Sequence, residues 1–302
     1  MSAMKTSLLL ATLTALFGAF GLALDLVLGT GGVLMTVFLI IGLAMNWVSY
    51  WFSDKIVLKM FGAQVVTDAQ APELHAMTRR LAQRAGIPMP RLAIIPMDMP
   101  NAFATGRNPQ NGVVAVTQGI MRILTKDELE GVIAHEIGHI KNRDTLISTI
   151  AASIAGAIGT LANMAQFGLL FGGGSSNDEN PNPLAPIILI VMAITAPIIA
   201  LVIQMAISRT REFGADRAAA EMTGNPSALS RALQRLEYAA EHGMEAAQGQ
   251  VPQGTQHMFI VNPMMGTGLS KLFSTHPPTA DRVAALRKVE AELRTSGRLR
   301  MA

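Results

Sequence analysis

Four stretches of the chain carry almost no charge: residues 7–28, 33–52, 146–171 and 184–207. Each has the roughly 20 apolar residues that cross a bilayer as a helix. The stretches come in pairs, so the pattern predicts two membrane hairpins. Pro197 falls inside the fourth, where neighbouring helices can satisfy the freed carbonyl. Between and after the hairpins the pattern changes. Residues 56–66 read as a short amphipathic connector along the membrane surface. Residues 72–85 repeat at helical spacing, with Pro72 at the start and Gly86 just past the end. Residues 91–97, bounded by prolines, read as a strand. Residues 101–106 and 113–117 flank a turn containing Asn111-Gly112 and read as a β-hairpin. Further helices are expected over 226–243, closed by Gly243, and from Ala280 to about Leu293. Residues 246–255, rich in Gln and Gly, read as a loop.

The division by domain follows. Residues 1–54 form an N-terminal hairpin, 55–145 and 208–302 two polar parts, and 146–207 a second hairpin. Lys and Arg set the orientation. Lys5, Lys55, Lys59, Lys141, Arg143, Arg209 and Arg211 all flank the spans on one side, while residues 29–32 and 172–181 carry no Lys or Arg. Both termini and both polar parts are therefore expected in the cytoplasm. Apolar residues make up 50% of the 302 residues and charged ones 15%, at a mean hydropathy of +0.35, which is too apolar for an ordinary soluble domain. A net charge of +3 without an aromatic-laced basic stripe excludes a nucleic-acid surface. The absence of Cys excludes thiolate chemistry and leaves His and carboxylates as metal ligands.

The chemistry centres on His135-Glu136-Ile137-Gly138-His139. Thr125 and Glu128 fit a capping box, and Leu129, Val132, Ile133, Ile137 and Ile140 recur at helical spacing. On that helix His135 and His139 share a face and can both reach one zinc ion. Zinc in such a site lowers the pKa of water to about 7, and Glu136 stands beside it as the base. Glu212 and Asp216 lie just after the fourth apolar run, also four apart. A hairpin of the third and fourth runs brings them to the His pair, where Glu212 can be the third ligand and Asp216 can orient a ligand His. The bland alternative is a solvated Glu/Arg helix. The strand before the motif can hold an extended peptide, or serve only as structure. His276, in the stiff turn His276-Pro277-Pro278, can donate to an oxyanion. His75 reads as a solvated surface residue and His242 as a helix C-terminal contact; His257 has no legible role.

The ordered set resembles the HtpX-type membrane-bound zinc metalloproteases, relatives of the CAAX prenyl endoproteases. It comprises two spans, Asn101-Ala102-Phe103, His135-Glu136-x-x-His139, two spans, Arg211-Glu212-Phe213-x-Ala215-Asp216, and His276-Pro277-Pro278-x-x-x-Arg282. The resemblance implies a mainly α membrane protein, with four transmembrane helices and a zincin-like α+β protease domain carrying a small sheet. It implies one Zn2+ on His135, His139 and Glu212, with Glu136 as general base and acid. Asp216 would support a ligand, Asn101, Ala102 and Phe103 would lie at the substrate edge, His276 would stabilise the tetrahedral intermediate, and Arg282 would be a nearby cation. It also implies a bacterial inner-membrane location, partners that are unfolded or membrane-protein substrates, and a role in stress. Three rivals remain: a prenyl-peptide protease, a membrane chaperone or adaptor with a structural metal, and a transporter. The first needs a chamber for which four spans are few, the second leaves Glu136 without a purpose, and the third wants charges inside the spans.

Overall fold

The computed structural model describes residues 29–146, 148–150, 209–242, 255, 258–260 and 277–299, with scattered positions between 7 and 25. The predicted spans at 146–171 and 184–207, apart from the first few residues at 146, and the loop at 246–254 lie outside them.

The first long element, α1 (Val33–Met60), is long and apolar enough over Val33–Phe52 to cross a membrane. Among the described residues it is the one helix that is. Only 17% of its most apolar window is buried, so it is not a core helix. The described positions of the preceding run are helical and pack on it closely. A Cβ on Gly21 would fall 2.6 Å from Met35 Cα. Asn46 Nδ2 donates to Leu10 O at 2.8 Å and to Thr14 Oγ1 at 2.7 Å. Asp25 accepts from the amides of Leu34 and Met35, so the one acid of the first run caps the second helix.

α1 does not stop at the edge of its apolar run. It continues to Met60, and after a turn at Gly62 the strand β1 (Gln64–Val66) follows. The expected surface connector at 56–66 is thus the end of a rigid helix plus an edge strand. The reason is burial: Val57, Leu58 and Phe61 plug into the underside of the sheet with Phe103, Met97 and Phe259.

The sheet has the order β1-β2-β4-β3, with β2 (Arg91–Ile95), β3 (Ala102–Thr105) and β4 (Val113–Thr117). β3 and β4 form the expected antiparallel hairpin, and β2 runs parallel to β4. Every residue of β4 is buried, because both faces of the sheet are covered. On the upper face lies α4 (Lys126–Asn142), and α2 (Pro72–Ala85), α5 (Arg209–Thr223), α6 (Pro226–His242) and α7 (Thr279–Thr295) close the core around it. A short α3 (Gln118–Ile123) links β4 to α4.

α4 is the hub. Its capping box is complete: Glu128 N donates to Thr125 Oγ1 and Thr125 N to Glu128 Oε2. Two glycines let neighbouring helices approach. A Cβ on Gly131 would lie 3.1 Å from Leu229 of α6, and one on Gly138 3.2 Å from Ala215 of α5. His75 is not a free surface side chain: it is half-buried, with Nε2 3.0 Å from Val66 O. His242, at the end of α6, contacts Tyr238 O through Nδ1 at 2.9 Å and stacks on the Tyr238 ring.

Candidate active site

Three elements build the site. α4 supplies His135 and His139 one turn apart, and their rings meet edge to face with Nε2 atoms 3.1 Å from each other. α5, held against Gly138, supplies Glu212. Its carboxylate lies 3.6 Å from His135 Nε2 and 3.5 Å from His139 Nε2. One ligand atom from each of the three falls within 4.8 Å of the others. α7 supplies Arg282, which is 1% exposed and donates to Asp216 through Nε at 2.8 Å and Nη2 at 2.6 Å.

Each imidazole has its own carboxylate at the far nitrogen. Asp216 Oδ1 is 2.9 Å from His135 Nδ1, and Asp144 Oδ2 is 3.5 Å from His139 Nδ1. A proton on each Nδ1 leaves the two Nε2 lone pairs aimed at each other and at Glu212. Acceptors converging on acceptors need a positive charge between them. The donor set, two imidazoles and a carboxylate, suits zinc. Without a metal the cluster holds a proton instead. Burial opposes a charged His135, but the hydrogen bonds it donates to Asp216 and Glu212 win and raise its pKa to about 9. Burial likewise works against ionised Asp216, but Arg282 and His135 outweigh it and hold the carboxyl at about 2. Burial disfavours charge on Arg282 too, yet Asp216 and Glu212 push its pKa above the ordinary arginine value.

Glu136 is 4% exposed. Burial is the main cause of a pKa raised above the usual carboxylate range, partly offset by His135 and His139 and by the amide of Ala104 in β3. That amide is a clue to the strand. Thr117 N donates to Asn101 O, so Asn101, Phe103 and Thr105 face β4, and Ala102 and Ala104 turn their backbone groups to the edge that has no strand partner. That edge is buried within the fold and runs past Glu136.

The structure brings His135, Glu136, His139, Glu212, Asp216 and Arg282 into one cluster, with Ala104 of the edge strand on Glu136 and Ala102 two residues before it. Phe103 points the other way, packed on Phe61 with ring centroids 4.9 Å apart and the rings tilted by 41°. Asn101 is buried, and its carboxamide is committed to the backbone at 258–260: Nδ2 donates to Met258 O and Oδ1 accepts from Ile260 N. His276 lies outside the described residues. Sequence reasoning missed Asp144. It reaches His139 because Arg143 ends α4 in the left-handed region (φ 60°), the one non-glycine residue described there, and folds Asp144 back so that its amide bonds His139 O at 3.0 Å. The signal available was an Asp directly after the last helical residues. Arg211 is also drawn in: burial lowers its pKa, against the pull of Asp144 and Glu212.

Relatives among known proteins match over nearly the whole chain. The protease HtpX homolog of Salinibacter ruber is 51% identical over 291 residues, spanning 96% of this chain and 98% of the relative. That of Pyrococcus furiosus is 50% identical over 289 residues, spanning 96% of each. The crystal structure of S. mikatae Ste24p has a TM-score of 0.48 at 20% identity, covering 94% of this chain and 65% of that one. Peptidase family M48 matches residues 68–290; the chain belongs to that family and, within it, to the HtpX proteases.

Proposed function

We propose that the protein is a membrane-integrated zinc endopeptidase that cuts misfolded or damaged membrane proteins. The observation that carries the reading is the convergence of His135, His139 and Glu212 beside a buried Glu136, next to the strand-free edge of β3. His135, His139 and Glu212 would hold the ion. Bound zinc supplies a Lewis acid that makes water nucleophilic at neutral pH and polarises a carbonyl. Glu136, with its pKa raised by burial, takes a proton from the attacking water and passes it to the leaving amine. Asp216 and Asp144 keep the two imidazoles in the ligating tautomer, and Arg282 holds Asp216 in place. The backbone of Ala102 and the carbonyl of Ala104 pair with an extended peptide, while the Ala104 amide holds Glu136. His276 is assigned the oxyanion, by the family resemblance. Four spans, a cytoplasmic site and an inner-membrane location complete the proposal, supported by α1 and by the charge pattern.

The test uses Glu136→Gln in detergent with an unfolded polypeptide substrate and the metal content of each sample. The expected result is one zinc per chain in both proteins and cleavage by the wild type alone. A folded, zinc-loaded wild type that binds the polypeptide and never cuts it would refute the protease reading and favour a chaperone.

A further inference from the structure

The described residues fix the orientation of the edge strand relative to the apolar sleeve of α1. Apolar residues stay exposed on α1 from Val33 (61%) to Phe52 (38%). Beyond Phe52 the character changes within one turn: Asp54, Lys55 and Lys59 are charged, and Val57 and Leu58 are buried under the sheet. Twenty residues, Val33–Phe52, at about 1.5 Å each give about 30 Å, the thickness of a bilayer core. A bilayer core crossed by these twenty residues would end at Phe52. The two tryptophans of the chain, Trp47 and Trp51, lie just inside it, where interfacial aromatics belong.

β3 touches α1 at two levels. Arg107, just past the strand, stacks its guanidinium 4.5 Å from the Trp51 ring centre. Phe103, within the strand, packs on Phe61. Trp51 to Phe61 is about 15 Å along a helix, and Phe103 to Arg107 is up to about 13 Å along an extended chain. The lengths match, so β3 runs alongside α1 in the opposite sense, with its C-terminal end at the bilayer edge. Two further contacts agree. Arg91, at the start of β2, pairs with Asp54 at 2.8 Å. Thr145 donates to Gly106 O and Thr149 bonds Thr105, so the helical residues at the head of the third apolar run meet the same end of β3.

We infer that the edge strand stands upright on the membrane and works as a ruler for substrates that leave the bilayer. The inference rests on the proteolytic reading above. Ala104, whose amide faces Glu136, lies three residues above Arg107, or about 10 Å. A chain emerging beside Trp51 and pairing with β3 needs about three extended residues to bring a peptide bond to Glu136. Nearer bonds cannot reach. Farther bonds reach only by looping, and their effective concentration falls slowly with loop length. The specificity predicted for a membrane-anchored substrate is a sharp lower limit at about three residues from its span, then a gradual decline.

The experiment uses the full chain in vesicles of phosphatidylethanolamine and phosphatidylglycerol, loaded with zinc. The substrate is a single-span polypeptide with an unfolded polar tail, and cut sites are mapped by mass spectrometry. A soluble unfolded polypeptide is the parallel substrate. The expected result is no cut within the first two residues of the tail and a maximum at about three to five. Cuts at the span boundary, or a first cut beyond about ten residues, would overturn the ruler while cleavage of the soluble substrate upheld the protease. No cleavage of either substrate would overturn both. Tryptophan quenching by brominated lipids tests the same geometry without turnover. Bromines near the headgroups should quench Trp47 and Trp51 most, and strongest quenching from the bilayer centre, or none at any depth, would overturn the upright strand.

Discussion

Gly138 is where the proposed zinc site depends on a missing side chain. It lies between the two histidines on α4 and faces α5. An alanine Cβ there would meet Ala215 Cα and O at 3.2 Å and Ala218 Cβ at 3.4 Å. Comfortable carbon contacts are about 3.5–4.0 Å, so α5 must retreat by about 0.5 Å. Ala215 is three residues from Glu212, so the retreat carries the carboxylate with it. Metal–ligand distances tolerate only about 0.2 Å. Stability responds differently. Alanine gains about 1 kcal/mol of helix propensity over glycine, while overpacking costs about 1–3 kcal/mol, so Gly138→Ala is destabilised by no more than about 2 kcal/mol. Zinc affinity should fall at least tenfold, the size of loss seen when a ligand's support is disturbed. Gly131→Ala is the matched control. It is crowded to the same degree, 3.1 Å from Leu229 Cα and N, but against α6, which supplies no ligand. It should lose similar stability and keep wild-type zinc affinity. The assay is competition with a chromophoric chelator, with thermal melting of each apo protein in detergent. If Gly138→Ala holds zinc as tightly as wild type, or Gly131→Ala weakens it as much, the claim that helix spacing sets ligand geometry fails.

Four more outcomes are expected. Zinc must displace the proton that His135 keeps up to about pH 9; affinity should therefore rise about tenfold per pH unit between 6 and 8, and calorimetry in buffers of different ionisation heat should count about one proton released. Stability of the apo protein follows the signs of the same pair. Asp216 is depressed, so its contribution is present above the unfolded value near 4 and lost as pH falls toward 2, while the raised His135 contributes below about 6.5 and loses it as pH climbs through 9. Melting with a chelator present should peak between about pH 4 and 6.5, and a maximum at pH 9 would contradict the pairing. Asp216→Asn removes the charge that pairs Arg282, leaving it Ile260 O at 3.4 Å, the His135 ring at 3.4 Å and Glu212 at 3.8 Å; the cost should be about 3–5 kcal/mol by melting, with zinc weakened 10–100-fold. An unchanged melting point would show Arg282 to be otherwise satisfied. Arg143→Gly relieves a left-handed residue worth about 1–3 kcal/mol and adds unfolded-chain entropy of about 0.4–1 kcal/mol; a net gain near 1 kcal/mol is expected, and a loss would mean that the arginine side chain matters more than its φ.

What the sequence made legible was local. Thr125 and Glu128 announce the start of α4 because a capping box is written in four consecutive residues. Pro72 and Gly86 bracket α2 for the same kind of reason, and Asn111-Gly112 marks the turn of the β3–β4 hairpin. What escaped is long-range. β1 is three residues with an exposed pattern, and only its pairing with β2 makes it a strand. The parallel β2–β4 ladder skips over β3, which no periodicity encodes. The extension of α1 past Phe52 depends on a socket under the sheet for Val57, Leu58 and Phe61. In the site, the spacing of His135, His139, Glu212 and Asp216 was readable, since four-residue steps share a helix face. Asp144 was not, because its approach depends on one φ angle at Arg143. Nor was the commitment of Asn101 to the backbone at 258–260.

The order in which the site's parts occur along the chain bears on biosynthesis. His135, Glu136 and His139 are made first. Glu212 follows only after the long apolar stretch that separates α4 from α5, and Arg282, which clamps Asp216 behind His135, arrives with α7 near the end. A ribosome-bound chain thus exposes a histidine pair that lacks its third donor and its clamp. The catalyst cannot assemble until α5 has been made and the last helix has docked. By this arrangement the protease is harmless to itself and its neighbours while it is being built, and a chain terminated before α5 stays inert.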